Sequence, residues 1–297
     1  AYAAACNPND PTNPLYAVQI LAAEILNPNC LDPAPTELEE AAALQPTTSV
    51  LWIGSNDALQ AILFGGDPTA SATFGYLHQI ASSTMAQTSG HLVLANIPDV
   101  TKVPYLTSVE RLAHILGLPE GTVETALGLS PGDKVTPYAF ALIQAMNGAL
   151  TALPDSIAQG PVVIRESKLE QIRQTVAEYN AIIAEEAAAN HAVLVDVHKL
   201  IDELAEHGSV VNGQKLTTEF MGGLFSLDGI HPTNTGYAIV ANEFIRAMNR
   251  SLEARIPPVS VEQVAKTDPL IFPDSHPGRS TGHVSQEMSE ALRRVMR

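Results

Sequence analysis

Three continuous apolar runs constrain this chain more than any other feature. Ser49-Val50-Leu51-Trp52-Ile53 ends at Gly54, His91 to Ile97 is stopped by Pro98, and Ala192 to Val197 follows a long helical pattern. Short runs without polar alternation read as strands buried on both faces, which is the signature of a parallel sheet. Parallel neighbours need crossovers, and helical patterns stand between the runs. Thr36 and Glu39 have capping-box spacing ahead of a short helix to Leu44. Helix-prone stretches follow at Asp57–Phe64 and Ser71–Thr88. Glu170 to Asn190 is the clearest helix, with Ile172, Val176, Tyr179, Ile182 and Ile183 on one face. Leu200–Glu206 and Thr235–Leu252 complete the alternation, and the fold class is α/β.

The 297 residues suffice for a large packed core; a chain of this size buries roughly 75% of its unfolded surface. The net charge of −16 would repel phosphate backbones, which argues against nucleic acid as a partner. No apolar run is long enough for a transmembrane segment. Two cysteines, Cys6 and Cys30, exclude a disulfide scaffold and a four-cysteine zinc site; they pair or stay free. The histidines show no metal-ligand spacing, and no glycine-rich phosphate loop occurs, so no metal and no cofactor are expected.

Between about residues 102 and 165 the alternation is interrupted. Thr107 and Glu110 repeat the capping-box spacing, and Gly117 and Gly128 suit helix ends. Thr136-Pro137 fits an N-cap and first helical position. This stretch reads as a helical insertion, either a lid or a packing excursion. Residues 1–256 are expected to form one domain around it. Residues 257–297 read as a Pro-containing tail, weakly packed or disordered, with a short helix at Ser285–Arg297. The first stretch, residues 1–34, holds one apolar helical segment from Leu15 to Leu26. The start lacks both Met and an export-signal pattern, and no Lys or Arg precedes Lys102. It reads as a fragment opening in mid-domain, or as a processed mature protein.

Chemistry concentrates at two places. Gly54-Ser55-Asn56-Asp57 sits at the carboxyl end of the first apolar run, where open α/β sheets bind ligands. The Asn56 amide can donate to an oxyanion, Gly54 lets a substrate approach the backbone, and Asp57 suits a helix cap. Asp228-Gly229-Ile230-His231-Pro232 precedes the last helix, which Thr233 can cap. Asp228, three residues from His231, can bind its Nδ1–H and leave Nε2 as a base. His198, after the third run, faces the cleft or simply opens a helix.

Together these stretches resemble the third and fifth sequence blocks of the SGNH hydrolases, the GDSL-type esterases and lipases. The Leu224–Tyr237 segment is similar to a bacterial, mostly exported branch of that family, and Ala95-Asn96-Ile97-Pro98-Asp99 resembles the segment after its fourth strand. The resemblance spans about Val50 to Asn249. It implies a three-layer, flavodoxin-like fold with a parallel sheet. It also implies a serine ester hydrolase acting on a small-molecule or lipid acyl ester. In that scheme His231 is the general base, Asp228 its orienter, Asn56 the oxyanion donor and Gly54 its accompanying glycine. An exported setting follows too: periplasm, cell envelope or medium.

The chain departs from the family in one respect. No Gly-Asp-Ser occurs in it, and only 49 residues precede Val50. Ser55 and Ser226 do not resemble the nucleophile position. The first two strands are therefore expected to be missing, with the serine, which would leave the Ser49–Ile53 strand as an open edge needing an amino-terminal segment to complete the sheet. A chain with the pocket but without the serine is otherwise a non-catalytic binder of esters or carbohydrates. A hydrolase using Asp228 or Ser55 as nucleophile is a third reading.

Overall fold

The computed structural model describes residues 35–147 and 150–271. The Leu15–Leu26 and Ser285–Arg297 segments, Cys6 and Cys30 lie outside them. Helix α1 (Glu37–Ala43) carries the capping box that the sequence predicts: Glu39 N–H donates to Thr36 Oγ1 at 3.2 Å, and Thr36 N–H donates to Glu39 at 2.7 Å. It leads into β1 (Thr48–Leu51). Helices α2 (Ser55–Leu63) and α3 (Ser71–Thr88) follow, then β2 (His91–Ala95). After the insertion come α7 (Glu166–Ala189), β8 (Val193–Val195), α8 (Val197–His207) and α9 (Asn234–Ser251).

The three apolar runs form one parallel sheet in the order β1-β2-β8, with Val50 opposite Val93 and Val93 opposite Val193. Helices cover both faces. Leu92 and Leu94 enter a core shared with α2, α3 and α7. Val93 and Ala95, from the same strand, enter a second core shared with α8 and α9. A side chain of this size contributes about 1.5–3 kcal/mol when fully buried. This two-sided burial explains why the central run shows no polar alternation. Both outer strands of the described sheet are less covered: Leu194 on β8 is 39% exposed and Val50 on β1 is 54% exposed.

The sequence suggests a helical insertion, but the one observed also contains short strands. It holds α4 (Val109–Leu116), α5 (Glu120–Leu127) and α6 (Pro137–Ala145). It also holds a small antiparallel sheet of β3 (Thr107–Ser108), β4 (Lys134–Val135) and β7 (Val163–Ile164). A hairpin of β5 (Ser156–Ile157) and β6 (Gly160–Pro161) adjoins it. These two-residue strands are pairings imposed by the surrounding fold and leave no periodic signal. Thr107 is consumed by β3, so α4 is capped one residue later by Ser108, whose Oγ accepts from Arg111 N–H at 3.2 Å. Gly117 and Gly128 end α4 and α5 in the left-handed conformation, as expected. Thr136 occupies the N-cap position before Pro137, but its hydroxyl donates to the Pro161 carbonyl. The insertion has its own core around Leu112, Leu127 and Val135.

The β9 (Ser209–Val211) and β10 (Gln214–Leu216) hairpin precedes the loop that carries Asp228 and His231. Residues 257–271 are fixed on the domain, where the sequence suggests a weakly packed tail. Helix α10 (Val261–Thr267) buries Ala265 in the α8/α9 core. Asp268 is 5% exposed and accepts from both the N–H and the hydroxyl of Thr235, each at 2.7 Å. Asn242 binds the Val259 backbone in both directions. Three prolines in this stretch prevent a long element but not docking by side-chain hydrogen bonds to backbone.

Among the described residues β1 has no partner on its outer side, and Val50 and Ile53 are exposed beside it. Such an edge templates self-association. Sedimentation velocity on the chain is expected to show concentration-dependent association. Val50→Lys is expected to shift the distribution toward monomer while changing the melting temperature little, because the site is half exposed.

Candidate active site

The loop from Leu224 to Thr233 is closed at its base. Phe225 and Pro232 form an antiparallel bridge, and Thr233 N–H donates to the Leu224 carbonyl at 3.0 Å. Ser226 N–H donates to the His231 carbonyl at 2.8 Å. Thr233 caps α9 as the sequence predicts, its hydroxyl accepting from Gly236 N–H at 3.0 Å. Gly229 sits at φ +69°, and a Cβ there would lie 2.7 Å from the Tyr105 backbone nitrogen. Only glycine permits this approach, which lets Tyr105 N–H donate to the Gly229 carbonyl at 2.9 Å. The loop is thereby tied to the segment that leaves β2.

Inside the loop the Asp228 carboxylate divides its two oxygens between scaffold and imidazole. Oδ1 accepts from the Ser226 hydroxyl at 2.7 Å and from the Ile230 and His231 N–H groups at 2.8 and 2.9 Å. Oδ2 lies 2.6 Å from His231 Nδ1. Partial burial pushes the Asp228 carboxyl up, but the hydrogen bonds from His231, the two backbone N–H groups and Ser226 outweigh it and hold it down at about 2. An ionised partner on Nδ1 fixes that nitrogen as the donor and leaves Nε2 as the acceptor. The His231 side chain is 67% exposed, so solvent or a ligand reaches it. The Ser226 hydroxyl is committed to the Asp228 carboxylate, which removes it as a free nucleophile. The Ser226-x-Asp228 spacing was the sequence signal for this contact.

The other half of the candidate site stands at the carboxyl end of β1. Gly54 is the N-cap of α2 at φ +109°, and a Cβ on it would lie 2.5 Å from Phe74 and 2.7 Å from Ile97. The chain turns here with its backbone pressed against both side chains. Asn56 is exposed in the first turn of α2. Its amide makes no hydrogen bond to another described residue. The helix starts earlier than the sequence suggests, so Asp57 is in its first turn and not at the cap, where its charge still suits the helix amino terminus. Asp228 and His231 are brought into direct contact, and no hydrogen bond joins them to Asn56 or Gly54. The two halves meet through packing: Ile230 rests on the core that contains Phe74 and Ile97.

A network that the motifs do not reveal holds the floor between them. Asn180 on α7 accepts from Ile97 N–H at 2.7 Å and donates to the Ile97 carbonyl at 2.9 Å. His198, the second residue of α8, donates from Nδ1 to the same carbonyl at 2.9 Å, and its N–H donates to Asn96 at 2.8 Å. His198 is therefore the helix-start histidine of the two alternatives, joining the exits of β2 and β8. Among the described residues no group of three or more His, Cys, Asp or Glu side chains is placed to hold a metal ion. No helix among them is long and apolar enough to cross a membrane.

Residues 13–244 match the GDSL-like lipase/acylhydrolase family. That match covers most of the sequence, and the chain belongs to this family. No curated protein and no solved structure is detectably similar to it.

The Asp228 carboxyl is expected to titrate near pH 2 by carbon-13 NMR in the folded chain. Its folded value lies below the unfolded one, so its contribution to stability is present above about pH 4 and is lost as pH falls through 2. Ser226→Ala removes one donor to the carboxylate and is expected to raise the midpoint. An unchanged midpoint would show that the Ser226 hydrogen bond contributes nothing.

Proposed function

We propose that this chain is the larger part of a carboxylic-ester hydrolase acting by a Ser-His-Asp mechanism, with the serine on a segment outside this sequence. The observation that supports the reading is the 2.6 Å Asp228–His231 pair with Nε2 open, in a chain of the GDSL-like family. The sequence carries no Gly-Asp-Ser, and its first serine is Ser49, inside β1. The serine would arrive on strands added in parallel at the outer side of β1, completing a flavodoxin-like sheet. Its hydroxyl proton passes to His231 Nε2 as its oxygen attacks the acyl carbonyl. Asp228 stabilises the imidazolium, and the Asn56 amide, beside Gly54, holds the oxyanion. The proton then leaves with the alcohol, and water repeats the sequence to release the acid. The substrate class is a small-molecule or lipid acyl ester. An exported bacterial setting belongs to the same reading, carried by the resemblance of the Leu224–Tyr237 segment.

A fluorophosphonate probe with peptide mapping tests this on two proteins: the chain as given, and the chain extended by its own upstream coding sequence. The given chain is expected to remain unlabelled. The extended chain is expected to label at one serine upstream of Ala1, lose the label in His231→Ala, and hydrolyse p-nitrophenyl acetate. In that protein Asn56→Ala is expected to lower kcat by about 10²–10³ and Asp228→Asn by about 10⁴. Stoichiometric, His231-dependent labelling of a serine in the given chain would place the nucleophile within this sequence. An extended chain that neither labels nor turns over ester would be a binding protein on the same fold.

A further inference from the structure

Ser226 spends its three polar groups inside the loop that carries Asp228 and His231. Its carbonyl accepts from Gly229 N–H at 3.0 Å, its N–H donates to the His231 carbonyl at 2.8 Å, and its hydroxyl donates to Asp228 Oδ1 at 2.7 Å. The first two bonds are made by backbone and shape the turn whatever side chain stands there. The third depends on the serine hydroxyl. Through these bonds one residue grips both members of the pair: His231 by its carbonyl and Asp228 by its carboxylate. The turn closes without the hydroxyl, so the hydroxyl bond calls for a separate reason.

Lone pairs supply that reason. A carboxylate oxygen has two, and Oδ1 already receives three donors: the Ser226 hydroxyl and the Ile230 and His231 N–H groups. It is saturated, so the imidazole has Oδ2 as its acceptor, 2.6 Å from Nδ1. The Asp228 side chain is 46% exposed, and carboxylate torsions are broad and roughly two-fold. With the hydroxyl removed, Oδ1 keeps two donors, water competes for both oxygens, and the carboxylate is free to turn away from Nδ1. The ring can then carry its hydrogen on Nε2, the nitrogen that a general base must keep bare.

We propose that Ser226 is a positioning residue for the Asp228–His231 pair: its hydroxyl holds Oδ1 so that Oδ2 stays on Nδ1 and Nε2 stays the open acceptor. The proposal deepens the hydrolase reading, on which it rests for the use made of Nε2. Ser226 acts through Asp228 and touches no reacting atom. Its effect therefore falls on proton transfer, and substrate affinity is left alone.

The test begins on the full chain carrying nitrogen-15 histidine, at a pH where the His231 ring is neutral, with the tautomer read by long-range correlation NMR. Nδ1 is expected to read as the protonated nitrogen and Nε2 as the bare one. In Ser226→Ala the two signals are expected to move toward each other as the second tautomer becomes populated. The Ile230 and His231 amide signals check that the loop keeps its fold. Ser226→Thr and Ser226→Val are matched in shape and differ by the hydroxyl, so they decide the matter even if the alanine variant disturbs the loop. The threonine variant is expected to keep the original tautomer and the valine variant to lose it. In the extended chain Ser226→Val is expected to lower kcat for p-nitrophenyl acetate about tenfold with KM within about twofold, and Ser226→Thr to recover kcat. A valine variant with the original tautomer, or with undiminished kcat, would overturn the proposal. The hydrolase reading is judged separately. An extended chain that never turns over ester removes the enzyme and leaves the tautomer result to decide the positioning role. Turnover that ignores the hydroxyl keeps the enzyme and removes that role.

Discussion

The chain leaves the sheet at Ile97, and the backbone there has to be satisfied without another strand. Asn180 supplies both a donor and an acceptor to the Ile97 peptide groups, and His198 adds a second donor to the same carbonyl. Buried backbone groups left unpaired cost about as much as a lost hydrogen bond each, so this clamp decides where the β2 exit can lie. The Ile97 side chain then packs against Gly54, and Phe74 packs beside it. Phe74 is stacked on Tyr179 at 4.0 Å, and the Tyr179 hydroxyl is bonded to the Thr69 carbonyl. Burial, with the nearby Asp57 charge, pushes that phenol up to about 12, so it stays a donor at any ordinary pH. A turn built for a close backbone approach is in this way held by helix α7, which lies far along the sequence.

The loop that carries Asp228 and His231 is organised on a different economy of atoms. Its hydrogen bonds are local, and one carboxylate oxygen serves the loop while the other serves the imidazole. The short span from Ser226 to His231 makes this pairing cheap in conformational entropy, since few residues must be ordered to bring the two groups together. What is not local is the placement of the loop against the sheet. That depends on Gly229 meeting the Tyr105 backbone and on Asp268, beyond α9, holding the start of that helix at Thr235. The stretch from residue 257 to 271 is therefore part of the architecture that holds the loop of His231.

The strands of the parallel sheet were legible because each is a short run dominated by apolar residues, although only β2 is buried along both faces. Their ends were less legible. Asp196, read as part of the third strand, instead caps α8 by accepting from Lys199 N–H. The capping boxes show the same limit. Thr36–Glu39 forms as written, whereas the Thr107–Glu110 spacing is displaced because β3 takes Thr107 into a ladder with β4. In the insertion, two-residue strands are created by neighbours that no local pattern announces. In residues 257–271 the prolines signal only that no long element forms; they are silent about the docking that Asp268 and Asn242 provide.

The sequence alone determined the α/β class, the family, and the pairing of Asp228 with His231, because each depends on short-range pattern or spacing. Gly54 and Asn56 were legible as chemistry at a strand end for the same reason. The tertiary structure alone decided that Ile97, clamped by Asn180, is the floor under Gly54 and that His78 is bonded to Glu186. Those facts turn on residues about forty to more than one hundred positions apart in the chain meeting at van der Waals or hydrogen-bond distance. Which distant groups meet is set by how the helices pack on the sheet, and no local sequence signal carries that information.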